Sequence, residues 1–490
     1  MDIKEDIKIR RAEAWRDELR QSMKNKDRTA ITRVKMNELD PDYRSRCNEE
    51  VNLGLTAEQA MREAQRCIDC PTPTCMEGCP VNINIPTFVK NIERGNFAEA
   101  AKVLKEANAL PAVCGRVCPQ EKQCESKCIH LKMNKEAVAV GYLERFTADY
   151  ERDSGTMSVP EIASKNGVKI AVVGSGPAGL SFAGDMAKMG YDVTVFEALH
   201  EIGGVLKYGI PEFRLPNRMV DVEIEVLKKM GVQFIVNCIV GKAISYQELL
   251  DEGYKGIFVA SGAGLPNFMN IPGENLIGVM SSNEYLTRVN LMDAAHADSD
   301  TPVLKGKNVA VIGGGNTAMD SVRTAKRLGA DRAMIIYRRS EEEMPARIEE
   351  VKHAKEEGIE FMTLHNPIEY FGDENGHVTK MRVQQMKLGE PDASGRRRPV
   401  PIEGAIVEIE ADEVIVSVGV SPNPLIPREF EGLEISRWGT IIVNEDTMRS
   451  ALKEVYAGGD IVRGGATVIL AMGDGRKAAS AMHEQLQSTQ

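Results

Sequence analysis

One local design, used twice, constrains this chain most. Lys169-Ile-Ala-Val-Val-Gly-Ser-Gly-Pro-Ala-Gly179 and Asn308-Val-Ala-Val-Ile-Gly-Gly-Gly-Asn-Thr-Ala318 each set a short apolar run before a glycine turn and a helical pattern. A strand apolar on consecutive residues needs cover on both faces, the condition of a parallel sheet flanked by helices. Two more such strands, Gly256-Ile-Phe-Val-Ala-Ser-Gly262 and Glu413-Val-Ile-Val-Ser-Val-Gly419, also run into glycine. At 490 residues the chain exceeds a single core, and a prior of about 100–200 residues per domain gives roughly three domains.

The glycine spacing points to dinucleotides. In Gly174-x-Gly176-x-x-Gly179 the glycines allow a tight turn, close approach of a pyrophosphate and close helix–strand packing, while the helix N-terminus favours phosphate charge. Glu197 ends the second strand of this unit, where a carboxylate suits ribose hydroxyls. The second unit, Gly313-x-Gly315-x-x-Ala318, has no acid there. Its second strand ends in Arg338-Arg339-Ser340, which suits a 2′-phosphate and favours NADPH over NADH. The fold class expected is α/β, with two Rossmann-like dinucleotide-binding domains.

Ahead of these units stands a different texture. Eight of the ten cysteines fall between Cys67 and Cys128, as Cys67-x2-Cys70-x4-Cys75-x3-Cys79-Pro80 and Cys114-x3-Cys118-Pro119-x4-Cys124-x3-Cys128. Dense cysteines in a reducing compartment read as metal ligands rather than disulfides, and thiolate runs closed by Cys-Pro suit iron–sulfur clusters. Structural zinc is the alternative, but only one Cys-x2-Cys pair has its usual spacing. By analogy with two-cluster ferredoxins, whose last cysteine crosses over, Cys67, Cys70, Cys75 and Cys128 are expected on one cluster and Cys79, Cys118 and Cys124 on the other. Cys114 is available as a fourth ligand by counting, while Cys47 and Cys238 read as ordinary thiols. Around the cysteines the pattern is helical. Thr56 and Gln59 form a capping box, and two short helices over Ile85 to Pro111 meet at Gly95-Asn96.

Charge and hydropathy exclude other classes. The net charge of −11 offers no field for nucleic acid or anionic lipid, and the basic stretch Lys8 to Lys35 reads as a solvated helical face. Met1 to Arg10 lacks an apolar leader core and no stretch reaches about 20 apolar residues, so no membrane span and a cytoplasmic location are expected. A disulfide reductase would need a redox Cys-x2-Cys beside the flavin. Cys67 and Cys70 lie far upstream of the first glycine motif, and Cys238 stands alone.

The cysteine runs, Cys114-Gly-Arg-Val-Cys-Pro119, Val173-Gly-Ser-Gly-Pro-Ala-Gly179, Lys207-Tyr-Gly-Ile-Pro211, Met344-Pro-Ala346 and Ala457-Gly-Gly-Asp460 together resemble a flavoprotein superfamily. Its members include the small subunit of bacterial NADPH-dependent glutamate synthase, the large subunit of bifurcating NADH-dependent ferredoxin:NADP oxidoreductase, and the flavoprotein part of dihydropyrimidine dehydrogenase. The resemblance runs from about Leu53 to the C-terminus. It implies an all-α domain with two [4Fe-4S] clusters (51–165), an FAD domain in two segments (166–290 and 419–490) and an NADPH domain inserted between them (291–418); residues 1–50, charged and short of periodic apolar positions, read as an N-terminal arm. It further implies that Gly174, Gly176, Pro177, Ala178, Gly179, Glu197, Gly204, Gly262 and Asp460 line the FAD, with Asp460 on the ribityl chain. Gly313, Gly315, Asn316, Thr317, Ala318, Arg338 and Arg339 would line the NADPH. Related flavoproteins place a non-cysteine ligand near Glu144, which makes it the alternative to Cys114. No acid–base catalyst is expected, since a flavin linking a two-electron nicotinamide to one-electron clusters needs positioning rather than proton transfer by a side chain. The implied partner is a large subunit or another electron-accepting flavo- or iron–sulfur protein, and the protein is expected to be an oligomer.

Overall fold

The computed structural model describes residues 3–393 and 395–488; Met1 and Asp2 of the leader reading lie outside them. The first glycine unit forms a five-stranded parallel sheet in the order Val455–Ala457, Tyr254–Val259, Lys169–Val173, Asp192–Phe196, Gln233–Ile235. The second forms another, ordered Glu360–Thr363, Arg332–Tyr337, Asn308–Ile312, Glu413–Val416, Val279–Ser281. In both, the strand leading into the glycine turn is central. Its consecutive side chains are buried, as in Ile170-Ala171-Val172 and Val309-Ala310-Val311, because helices or a further sheet cover both faces.

The second sheet is inserted in the first. The chain leaves after Val259 and returns for Val455, and the two crossings pair antiparallel as Leu265–Pro266 with Val420–Ser421. This corrects the boundary expected at 290. Val279–Ser281 pairs with Glu413–Val416 and so belongs to the inserted domain, whose start moves back towards the paired crossings. The sequence reading also contained no counterpart for the antiparallel sheet His365–Gly372, Val378–Pro391, Arg397–Glu410 that the inserted domain carries.

The cysteine region is built from the helices Ala57–Gln65, Ile85–Glu93, Phe97–Ala107, Pro111–Val117 and Val140–Asp153, with the Thr56/Gln59 capping box formed. Its Phe88 and Leu104 belong to the same contiguous apolar core as Val172, Phe182 and Met472 of the first nucleotide domain. The stretch from Lys8 to Lys35 is not the solvated face its composition suggests. Arg16 and Arg28 are each 1% exposed and pair with Asp69 and Glu93. Burying an arginine requires a matched carboxylate, and both partners lie over fifty residues away. Further along, Arg44 pairs with Glu356 and Glu357, so residues 3–50 strap the helical region to the inserted domain.

Candidate functional site

The glycines divide into those the protein requires for its own packing and those it does not. A Cβ on Gly174 would lie 2.5 Å from the Ala260 carbonyl oxygen, and one on Gly179 would lie 2.1 Å from that of Gly174. Between them, Gly176 has an ordinary φ of −68° and a Cβ there would meet nothing within 4 Å. Gly262 likewise faces open space, beside the Ser261 hydroxyl, a buried group without a partner among the described residues. Gly204 approaches the loop so closely that its Cβ would lie 3.0 Å from the Gly176 Cα. Space kept free of side chains at the start of a helix with no side-chain cap is a cradle for an anionic group. The second unit repeats this. A Cβ on Gly313 would lie 2.3 Å from the Ser417 carbonyl oxygen, Ala318 is fully buried in the place of the last glycine, and a Cβ on Gly315 would meet only Pro345, at 4.0 Å.

At the first loop Glu197 is buried. One carboxylate oxygen accepts from the Ser175 N–H at 2.8 Å and hydroxyl at 2.5 Å, the other from the Leu199 N–H at 2.9 Å. Ser175, absent from the sequence-predicted set, thus ties the strand end to the glycine turn and also accepts from the Gly203 N–H at 2.9 Å. Asp460 begins the short helix Asp460–Arg463 and accepts from the Ala466 N–H at 2.9 Å. Burial raises its carboxyl above the usual range, as burial and the carboxylates of Asp460 and Glu197 push the Tyr208 phenol up to about 12. The helix Val468–Ser488 packs on Pro177–Lys188, where a Cβ at Gly475 would lie 2.4 Å from the Ala178 carbonyl.

At the second loop the two arginines part company. Arg338 is exposed and, among the described residues, makes no hydrogen bond or ion pair. Arg339 is 7% exposed and gives its guanidinium to Asp392 at 2.7 Å and to the Arg397 carbonyl at 2.9 Å, both on the antiparallel hairpin. Of the two arginines expected at the NADPH, Arg339 thus has protein partners on the hairpin and Arg338 has none among the described residues. Asn316 uses its side-chain oxygen to accept the Arg347 N–H at 2.9 Å, and Thr317 is exposed on the first turn.

The thiols gather in two sets. Burial first, and then mutual repulsion, raise Cys67, Cys70 and Cys75; Cys70 reaches about 12, and Cys128 is a neighbour that pushes on all three. Cys79 is raised to about 11 by burial, Glu144 and Cys114; Cys118 is raised by its hydrogen bond with Cys114, burial, Glu144 and Cys124; Cys124 is raised by burial, Glu125, Cys79 and Glu144, and also feels Cys75 of the first set. Burial lifts Glu144 itself to about 8. Buried anionic donors packed this densely call for a cationic centre, which the thiolate chemistry of an iron–sulfur cluster supplies. Glu144 and Cys114 share one buried neighbour. Asn108 donates to Glu144 at 2.7 Å, and its side-chain oxygen lies 3.7 Å from the Cys114 sulfur.

The second set abuts the first nucleotide site. A Cβ at Gly473 would lie 2.9 Å from the Pro80 carbonyl, and the Cys114 sulfur is 3.5 Å from that of Met472, both on the helix Val468–Ser488.

Residues 44–156 match the family described as dihydropyrimidine dehydrogenase domain II, 4Fe-4S cluster, and residues 168–475 match pyridine nucleotide-disulphide oxidoreductase. The glutamate synthase [NADPH] small chain of Azospirillum brasilense is 37% identical over 440 residues, covering 89% of this chain and 90% of that one. Its Escherichia coli (strain K12) counterpart is 36% identical over 446 residues, covering 89% and 94%. NADPH-Fe(3+) oxidoreductase subunit beta of Geobacter sulfurreducens (strain DL-1 / KN400) is 34% identical over 455 residues, covering 88% and 66%. Among solved structures, Mycobacterium tuberculosis FprA in complex with NADPH shares the fold, with a TM-score of 0.55 at 20% identity over 66% of this chain and 85% of that one. An iron–sulfur helical domain therefore precedes a pyridine-nucleotide oxidoreductase fold, and the chain belongs to the family of glutamate synthase [NADPH] small chains.

Proposed function

We propose that this chain is the NADPH-oxidising, electron-input subunit of a glutamate synthase. Bound in it, FAD would take a hydride from NADPH and release electrons singly through two [4Fe-4S] clusters to a separate large chain that makes glutamate from glutamine and 2-oxoglutarate. Gly176 and Gly262 leave room for the flavin nucleotide, Glu197 braces its loop through Ser175, and Asp460 stands where the ribityl chain passes. Gly315 leaves room for the nicotinamide nucleotide, and Arg338 is the cation for its 2′-phosphate. Cys67, Cys70, Cys75 and Cys128 hold one cluster. Cys79, Cys118 and Cys124 hold the other, with Glu144 in preference to Cys114 as the fourth ligand. No side chain is required as a general acid or base, and we assign none.

What most supports this reading is the packing of the cysteine region on the helix Val468–Ser488: Pro80, next to Cys79, lies against Gly473, and the sulfur of Cys114, beside the assigned ligands, is 3.5 Å from that of Met472, as a cluster passing electrons to or from a bound flavin would require. Among the described residues no helix is long and apolar enough to cross a membrane. The reduced thiols the reading requires place the protein in the cytoplasm, working as an oligomer with its large chain. Anaerobic purification is the test: a brown protein with one flavin and about eight irons with matching sulfide is expected. Zinc, or no sulfide, would overturn the relay. Co-purification of a large amidotransferase chain is expected, and a small ferredoxin-reductase-like flavoprotein in its place would overturn the glutamate synthase assignment.

A further inference from the structure

The segment Met344–Ile348 lies between the second glycine loop and the second cysteine run and is bonded to both. Towards the nucleotide, the Ala346 N–H donates to the Gly314 carbonyl at 3.2 Å and the Arg347 N–H to the Asn316 side chain at 2.9 Å. Asn316 opens the helix Asn316–Arg327, whose N-terminus has no side-chain cap. Towards the thiols, the Arg347 guanidinium donates to the Arg116 carbonyl at 2.7 Å and to the Gln120 side chain at 3.1 Å, two residues either side of Cys118. Gln120 in turn donates to the Cys114 carbonyl at 3.2 Å. Lys122 reaches back to the carbonyls of Pro345 and Ala346 at 2.9 and 3.1 Å.

We propose that Arg347 couples occupancy of the second nucleotide loop to the reduction state of the cluster held by the Cys118 run. The proposal rests on the cofactor assignment made above. Arg347 is 5% exposed, so its charge acts in a poorly screened interior. Three carboxylates act on this charge: Glu349 accepts at 2.9 Å, Glu121 stands at 3.8 Å and the buried Glu350 acts from further off, while the guanidinium Nε keeps one donor without a hydrogen-bond partner among the described residues. The contacts leave little slack, since a Cβ on Gly115 would strike the Arg145 backbone at 2.5 Å and one on Gly141 would strike Gln120 at 2.3 Å. A bound pyrophosphate and an electron added to the cluster are both negative, and both draw on this one cation, so each disfavours the other. Linkage makes the effect reciprocal: if ligand binding lowers the cluster potential, cluster reduction weakens the ligand by the equivalent factor. Arg347 is thus a positioning residue that touches neither cofactor directly.

The test uses the oxygen-free holoenzyme and 2′-phospho-ADP-ribose, which carries the pyrophosphate but cannot exchange a hydride. Each cluster's midpoint is followed by electron paramagnetic resonance in a dithionite titration, with and without this ligand. The wild type is expected to show one midpoint lowered by roughly 30 mV, equivalent to about threefold weaker binding to the reduced form at 59 mV per tenfold for one electron. Arg347→Gln should abolish the shift, and Arg347→Lys should keep its sign. An equal shift in wild type and Arg347→Gln overturns the proposal. Should Arg347→Gln fail to hold its clusters, hydrogen exchange on the wild type decides: the ligand is expected to change protection over residues 116–123, and unchanged protection overturns the coupling. A wild type with no cluster signal sinks the cofactor assignment and the coupling together, whereas a normal signal indifferent to the ligand sinks the coupling alone.

Discussion

Glu197 and Arg338 occupy equivalent places, just past the second strand of a five-stranded parallel sheet, and behave oppositely. Glu197 is buried with both oxygens bonded to the glycine turn and the strand end, whereas Arg338 is exposed with no partner among the described residues. Around them the backbone is nearly the same. Each loop has one glycine pressed on a neighbouring carbonyl and one facing open space, at the start of a helix without a side-chain cap. On the proposed function, phosphate binding would be a property of the shared backbone, with nucleotide choice left to one side chain at its edge. The loops differ also in their surroundings: the first is roofed by the helix Val468–Ser488, the second by the Met344–Ile348 segment and the hairpin holding Arg339.

Five substitutions would break or sharpen this contrast. The largest effect is expected from Gly179→Val, whose first added carbon already lies 2.1 Å from a carbonyl oxygen; overpacking here should cost about 3 kcal/mol or more in thermal or denaturant unfolding. An unchanged melt would mean that the packing glycine is dispensable. Next comes Gly176→Val, whose Cβ meets no protein atom within 4 Å and which should fold yet bind FAD at least about a hundredfold more weakly, near 2.7 kcal/mol. Gly315→Val should do the same to NADPH while sparing the flavin, and a swap that weakened both nucleotides equally would erase the distinction between the loops. Arg338→Ala should lower the preference for NADPH over NADH by about ten- to a hundredfold, the worth of a charge-assisted hydrogen bond. Arg339→Ala should leave that preference within about twofold and loosen the hairpin instead, so equal losses of preference would reunite the two arginines.

The smallest effect concerns the strap of residues 3–50. Glu350 and Glu357 are held down at about 2: burial opposes ionisation, but at Glu350 it is outweighed by Arg323, Arg214, His353 and Arg347 together, and at Glu357 by Arg323 and Arg327. Glu38 is held at about 2 chiefly by His353, whose ring nitrogen lies 3.3 Å from its carboxylate, with Lys352 adding to the effect. A carboxyl depressed in the folded state contributes stability above its ordinary value of 4.5 and loses it as pH falls towards 2. Acid should therefore loosen the contact between Arg44 and the helix Ile348–Glu356 within that window. Hydrogen exchange over residues 38–46 would detect this, and protection unchanged down to pH 2.5 would remove the ion pairs from the account.

Much of the fold was legible because it is local. Apolar runs before glycine turns read directly as central parallel strands, and Thr56 with Gln59 marked a helix start from four consecutive residues. The antiparallel hairpin was not legible: Arg397–Glu410 is an edge strand with Val400, Ile402 and Ile406 exposed, so its burial does not alternate in the manner that marks a strand. Val279–Ser281 has three residues, too few for its pattern to say which sheet it joins.

By itself the sequence determined the two nucleotide-binding units and the grouping of the thiols, since glycine, cysteine and apolar spacing act over a few residues. Only the tertiary structure decided which charges are buried and with whom. Arg339 meets Asp392 53 positions on, and Arg347 meets Arg116 231 positions back. An arginine carries the same charge in every context, and its role depends on which carboxylate or carbonyl folding brings to it.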